Sequence, residues 1–154
     1  MTRAVLLPAG SAPFVLAYWL RNFATWSQYV DRLYIAICGP LEPEPLAYIK
    51  GTLKKYPKAR VTFIPQRTDH GAVITGLFEK AKADTILIME DDAFIRTPEV
   101  VDEYFKFAEA GGIVATPRGG YAAEELVYNV ANERFGDPNS FWPWAMTTCS
   151  FRTC

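Results

Sequence analysis

Three consecutive carboxylates, Glu90-Asp91-Asp92, follow the apolar run Ile86-Leu87-Ile88-Met89 and precede Ala93-Phe94-Ile95. Like charges crowded beside a buried segment repel one another with little water to screen them, so the triplet costs stability unless something positive neutralises it. A divalent cation does this. Magnesium and manganese prefer oxygen ligands and are commonly held by one or two carboxylates together with the phosphate oxygens of a substrate. Such a cation would offset the charge on a diphosphate as it leaves. Extended geometry through the triplet predicts Glu90 and Asp92 on one side, sharing the metal and its waters. Asp91 then points the other way, free to hold a ribose hydroxyl or a neighbouring backbone amide. The plainer alternative is that these acids cap a helix beginning near Pro98 or decorate a solvated loop. Three in a row at the end of an apolar run favour the metal.

Other reactive side chains carry weaker signals. His70 is the only histidine, so a histidine-based metal cluster or a Ser-His-Asp triad would have to centre on it, and nothing nearby supports a triad. Beside Asp69 and before a helix, it is expected to be part of a polar loop or a pocket wall. Arg67 and Arg118 follow apparent strands and match phosphate oxygens chemically, although solvated surface is the plainer role. Trp142 and Trp144 flank Pro143 and offer an aromatic platform for a sugar ring, against the commoner role of packing. Glu124, Glu125, Glu133 and Asp137 are the carboxylates from Tyr121 onward, and spacing gives no reason to choose a general base among them.

The elements that must position these residues alternate. Arg3 to Pro8 is an apolar strand ending in the turn-prone Pro8-Ala9-Gly10-Ser11. A helix follows, with Ser11 able to cap it, Pro13 in its first turn, and Phe14, Val15, Tyr18, Trp19, Phe23 and Trp26 as an apolar face. Arg32 to Cys38 is a second strand, halted by Gly39-Pro40. Pro43-Glu44-Pro45 reads as a loop before a helix from Leu46 to Tyr56. Arg60 to Ile64 is a third strand, Gly71 to Lys82 a helix with Val73, Leu77 and Ala81 at four-residue spacing, and Thr85 to Met89 a fourth strand. Pro98 opens a helix that ends at Gly111-Gly112, and Ile113 to Ala115 is a fifth strand. Tyr121 to Arg134 can be helical, Phe141 to Trp144 is an aromatic loop, and Ala145 to Phe151 can form another strand. Strands alternating with helices predict an α/β fold: a Rossmann-like, mostly parallel sheet with helices on both faces. Ligands in such sheets bind beyond the carboxyl ends of the strands, where the triplet lies.

A chain of 154 residues, half of them hydrophobic, suits a single domain over residues 1–154 with a sizeable core. Its net charge of -1 offers no basic stripe, so nucleic acid is not an expected partner. There is no secretory leader pattern, and no apolar stretch reaches the ~20 residues of a membrane span. Cys38, Cys149 and Cys154 lack paired spacing, which argues against a disulfide framework or a cysteine zinc site and favours a cytoplasmic setting. The stop at Cys154 without a further helix leads us to expect that the domain is C-terminally incomplete.

Asp69-His70-Gly71 before a helix, the strand Thr85 to Met89, and the triplet backed by Ala93-Phe94-Ile95 and later by Glu103-Tyr104-Phe105 make Arg3 to Arg118 resemble a nucleotide-diphospho-sugar glycosyltransferase of the glycosyltransferase-A fold. The triplet is similar to the Asp-X-Asp region of such families. The resemblance implies a nucleotide-sugar donor, a manganese or magnesium ion, a metal contact through Asp92, and an acceptor hydroxyl on a glycan, lipid or protein. It further implies that Pro8 and Ala9 line the nucleoside pocket and that Asp69 and Gly71 approach base, ribose or phosphate. Two features depart from the pattern. Cys38-Gly39-Pro40 stands where many members carry an acid. The late carboxylate base, and the metal-binding histidine that often accompanies it, are not found after Ala145 to Phe151. Two alternatives therefore stand beside a metal-dependent glycosyltransferase. One is an inactive nucleotide-sugar-binding module. The other is a sugar-phosphate nucleotidyltransferase, disfavoured because Pro8 to Pro13 lacks the glycine density and basic residues that would hold a triphosphate.

Overall fold

A computed structural model describes residues 1–112, 114–117 and 146–152. Six strands form one sheet: β1 (Arg3–Ala9), β2 (Arg32–Cys38), β3 (Ala59–Ile64), β4 (Thr85–Met89), β5 (Val114–Pro117) and β6 (Met146–Arg152), in the order β3-β2-β1-β4-β6-β5. The four strands β3-β2-β1-β4 are mutually parallel. β6 runs antiparallel to both β4 and β5, completing a mostly parallel sheet. Among the described residues, four α-helices accompany it: α1 (Pro13–Trp26), α2 (Pro43–Leu53), α3 (His70–Lys80) and α4 (Glu99–Glu109).

The two-residue period of the strands divides the core. Val5, Leu7, Leu33, Ile35, Ile37, Leu87 and Met89 face α1, α2 and α4 in one cluster, while Leu6, Ala36 and Ile86 face Val73 and Leu77 of α3 in the other. The first cluster holds the largest rings: Trp19 stacks on Phe23 at 5.6 Å between centroids, and Trp26 meets Phe23 edge-on at 4.8 Å. Helices thus cover both faces, as the alternation predicts. Right-handed crossovers explain the arrangement of the first three, since α1 and α2 accompany an advance to β3 and α3 accompanies the return past β1 to β4.

Three local expectations are corrected. In α1 the buried stripe is Leu16, Trp19, Leu20, Phe23 and Trp26, whereas Phe14, Tyr18 and Val15 are exposed; at about 100° per residue, Phe14 and Tyr18 fall on the far side of that stripe. The cap of α1 is Ala12 without a side-chain bond, so Ser11 does not serve there. Helix α2 begins at Pro43, with Pro45 also inside its first turn, because amide donors in that turn have no intrahelical acceptor to lose.

Arg118, the segment 121–134 with its acids, Asp137, the loop 141–144 and Cys154 lie outside the described residues. Among the described residues, no helix is long and apolar enough to cross a membrane.

Candidate active site

β1 is the strand from which the chain first advances to β2 and to whose other side it returns as β4. Loops leaving β1 and β4 therefore diverge in opposite directions and leave a crevice at their carboxyl ends. A cleft of about 230 Å³ opens there. Pro8, Ala9 and Gly10 line it from the end of β1, Cys38 from the end of β2, Glu90 and Asp91 from the end of β4, and Thr68, His70 and Val73 from the approach to α3 and its first turns.

The strand does not continue through the triplet. It ends at Met89, and the Ala93 amide donates to the Glu90 carbonyl at 3.2 Å, closing a turn over Glu90–Ala93. The strict alternation expected for the three acids is therefore replaced by turn geometry, and each finds a separate environment. Asp91 Oδ2 accepts from the Gly10 amide at 2.9 Å, joining the β1 and β4 loops across the switch point. This is the bond to a neighbouring backbone amide that the sequence suggests as one role of Asp91. Glu90 is half-buried, and its Oε1 lies 2.9 Å from His70 Nε2. Burial pushes the Glu90 carboxyl up from its ordinary value; His70 opposes that rise, and the neighbouring charges of Asp92 and Asp91 add to it. Asp92 is exposed and lies outside the cleft lining. None of the acids caps α4, whose cap is Pro98 with no side-chain bond.

Asp69 caps α3, its Oδ1 accepting from the Ala72 amide at 3.0 Å. Gly71 sits in the first turn, where an added Cβ would stand 3.2 Å from that same oxygen. Neither residue lines the cleft, whereas Pro8, Ala9, Glu90 and Asp91 do. The lining adds Gly10, Cys38, Thr68, His70 and Val73 to the sequence-derived set. The pocket-wall expectation for His70 matches its place, but its pairing with Glu90 joins positions 20 apart and leaves no sequence signal. Burial pushes the Cys38 thiol up, which keeps it protonated and a poor nucleophile.

Among the described residues, no group of three or more His, Cys, Asp or Glu side chains converges in a cation cage. Magnesium and manganese rely on few protein carboxylates and complete their shells with water and substrate oxygens. The available donors are hard oxygens, and two of them are already engaged, Glu90 Oε1 by His70 and Asp91 Oδ2 by the Gly10 amide. The carboxylate oxygens of this turn fit such a cation in chemistry.

No protein-family model matches the sequence, and no curated protein matches it. Solved structures do. Mannosyltransferase PcManGT from Pyrobaculum calidifontis, in complex with GDP-Man and Mn2+, is similar with a TM-score of 0.70 and 12% identity, over 97% of this chain and 44% of its own. Glucosyl-3-phosphoglycerate synthase from Mycobacterium tuberculosis, with Mn2+, UDP and phosphoglyceric acid, gives 0.68 and 16%, over 98% of this chain and 55% of its own. A 4-diphosphocytidyl-2C-methyl-D-erythritol synthase from Anaerococcus prevotii gives 0.67 and 13%, over 98% and 70%. The chain spans about half the length of the two glycosyltransferases. With its parallel core, antiparallel β6 and switch-point cleft, the chain has the glycosyltransferase-A fold.

Proposed function

We propose that the cleft binds a nucleotide-sugar donor together with Mn2+ or Mg2+, and that the chain is the donor-binding part of a glycosyltransferase. The observation that carries the reading is the convergence of Glu90 and Asp91 with His70 and the α3 N-terminus on one cleft at the β1/β4 switch point. Glu90 and Asp92 are the proposed metal ligands, with donor phosphate oxygens and water completing the shell. When bound, the cation would neutralise charge on the leaving nucleoside diphosphate. Asp91 holds the Gly10 amide and so fixes the β1 loop against the acidic turn. Pro8, Ala9 and Val73 supply apolar wall, while Asp69 and the main chain at Gly71 hold the start of α3, whose amide dipoles favour an anion. The two glycosyltransferases with Mn2+ support the metal by likeness of fold. A base for the acceptor hydroxyl is not assigned.

Titration of the chain with Mn2+ and a panel of uridine and guanosine diphosphate sugars tests this reading. Wild type is expected to bind at least one donor in a Mn2+-dependent manner, and Asp92→Ala to lose that dependence. Equal binding by both proteins, or by neither, removes the metal-site proposal. The likeness to the erythritol synthase favours a second reading, a nucleotidyltransferase. Tight binding of a nucleoside triphosphate plus sugar phosphate, in place of any nucleotide sugar, would select it.

A further inference from the structure

The acidic turn is fastened to the body of the protein from an unexpected side. Asn22, on the inner half of α1, donates from Nδ2 to the Ile95 carbonyl at 2.7 Å and accepts at Oδ1 from the Ile95 amide at 2.9 Å. The same Oδ1 accepts from Trp26 Nε1 at 3.1 Å. Trp26 is fully buried and its indole nitrogen only donates, so it fixes which end of the carboxamide faces Ile95. A flipped Asn22 would set donor against donor at both Trp26 and the Ile95 amide. Ile95 stands three residues beyond Asp92. Among the described residues, this two-way clamp supplies the hydrogen bonds of the Phe94–Arg96 main chain. Ala93 and Ile95 pack on the core cluster that contains Trp26.

We propose that Asn22 is a positioning residue for the site: its carboxamide, oriented by Trp26, clamps Ile95 and thereby holds Glu90, Asp91 and Asp92 in the turn that receives the divalent cation. This rests on the reading of that turn as a metal and donor site. Removing a partner bonded directly to a metal ligand typically weakens the metal about 10- to 100-fold; Asn22 acts on Ile95, three residues beyond Asp92, which puts its effect at the low end of that range or below.

Two readouts on the full chain test it. The first is Mn2+ titration in the presence of UDP or GDP for wild type, Asn22→Ala and Leu33→Ala. Leu33 is a buried residue at the opposite end of β2 from the cleft, and serves as a control for lost stability alone. The second is amide hydrogen exchange at Ala93 and Ile95. Asn22→Ala is expected to weaken Mn2+ several-fold, up to about 10-fold, and to accelerate exchange at both amides, whereas Leu33→Ala leaves Mn2+ affinity unchanged at a temperature where it is folded. Trp26→Phe, which frees the carboxamide to flip without removing it, should move both readouts the same way by a smaller factor, and it keeps the test alive if Asn22→Ala does not fold. Wild-type Mn2+ affinity in Asn22→Ala, or an equal loss in Leu33→Ala, overturns the positioning role. If wild type itself binds no Mn2+, the donor-site reading falls and this role with it, while exchange at Ile95 still reports whether the clamp exists.

Discussion

The bond between Asp91 Oδ2 and the Gly10 amide is open to a test that separates geometry from charge. Asp91→Asn keeps an acceptor oxygen of the same shape and removes the charge; Asp91→Ala removes both. Either change equally relieves repulsion on Glu90, whose carboxyl Asp91 pushes up, so the difference between the two variants isolates the hydrogen bond. A bond to a charged acceptor contributes about 1.5–3 kcal/mol and a neutral one about 0.5–1.5. This pair is solvent-accessible, which places both near the low ends of those ranges. Asp91→Ala should therefore be the less stable variant by about 0.5–1 kcal/mol, or roughly 1–4 °C in Tm for a domain of this size. Thermal unfolding followed by circular dichroism, without metal, gives the comparison, and exchange at the Gly10 amide gives its location. If Asp91→Ala is as stable as Asp91→Asn and Gly10 exchanges alike in both, the bond does not join the two loops and the reasoning fails.

Two further outcomes follow from the packing. Gly39 holds φ at +121°, and an added Cβ would come within 3.1 Å of Ser11 Oγ; Gly39→Ala should destabilise by about 1–2 kcal/mol, visible as a lower urea midpoint at unchanged slope. Arg3 bonds Glu109 through Nε at 2.7 Å and Nη2 at 2.9 Å, and Asp102 through Nη1 at 2.7 Å. The Glu109 carboxyl is held down chiefly by Arg3, and that of Asp102 by Lys106 and then Arg3. Folded carboxylates with depressed pKa contribute stability above the unfolded value and lose it as pH falls through the folded one. Below 4.5, the ordinary glutamate value, wild type should lose Tm more steeply than Arg3→Met, and parallel curves would contradict this.

Periodicity made much of the scaffold legible. The bounds expected for β2 and β4 coincide with those found, because each is a run of strand formers bounded by turn residues or a charge. Hydrophobicity alone drew the α1 face too wide: Trp19, Phe23 and Trp26 are buried as expected, but Phe14 and Tyr18 find only partial cover among neighbours, Phe14 at 5.8 Å from Tyr48 and Tyr18 beneath Arg21. Strand order and the reversed direction of β6 are set by long-range pairing, which no local pattern records. At the site, the placement of Glu90 and Asp91 was readable because an acidic run ends a buried strand. The partners Gly10 and His70 were not, because a turn and a crossover bring them in from 81 and 20 residues away.

The cleft is built from strand termini and the start of α3, while the stacked rings of Trp19, Phe23 and Trp26 lie within the cluster on one face of the sheet. The cleft shares Ala9, Val73 and Cys38 with the two core clusters, whereas Gly10, Thr68, His70, Glu90 and Asp91 lie outside them. Thr68 is exposed, so exchanges at this position can accumulate with little loss of stability. The rim of the cleft is free to vary in sequence while the scaffold beneath it stays the same.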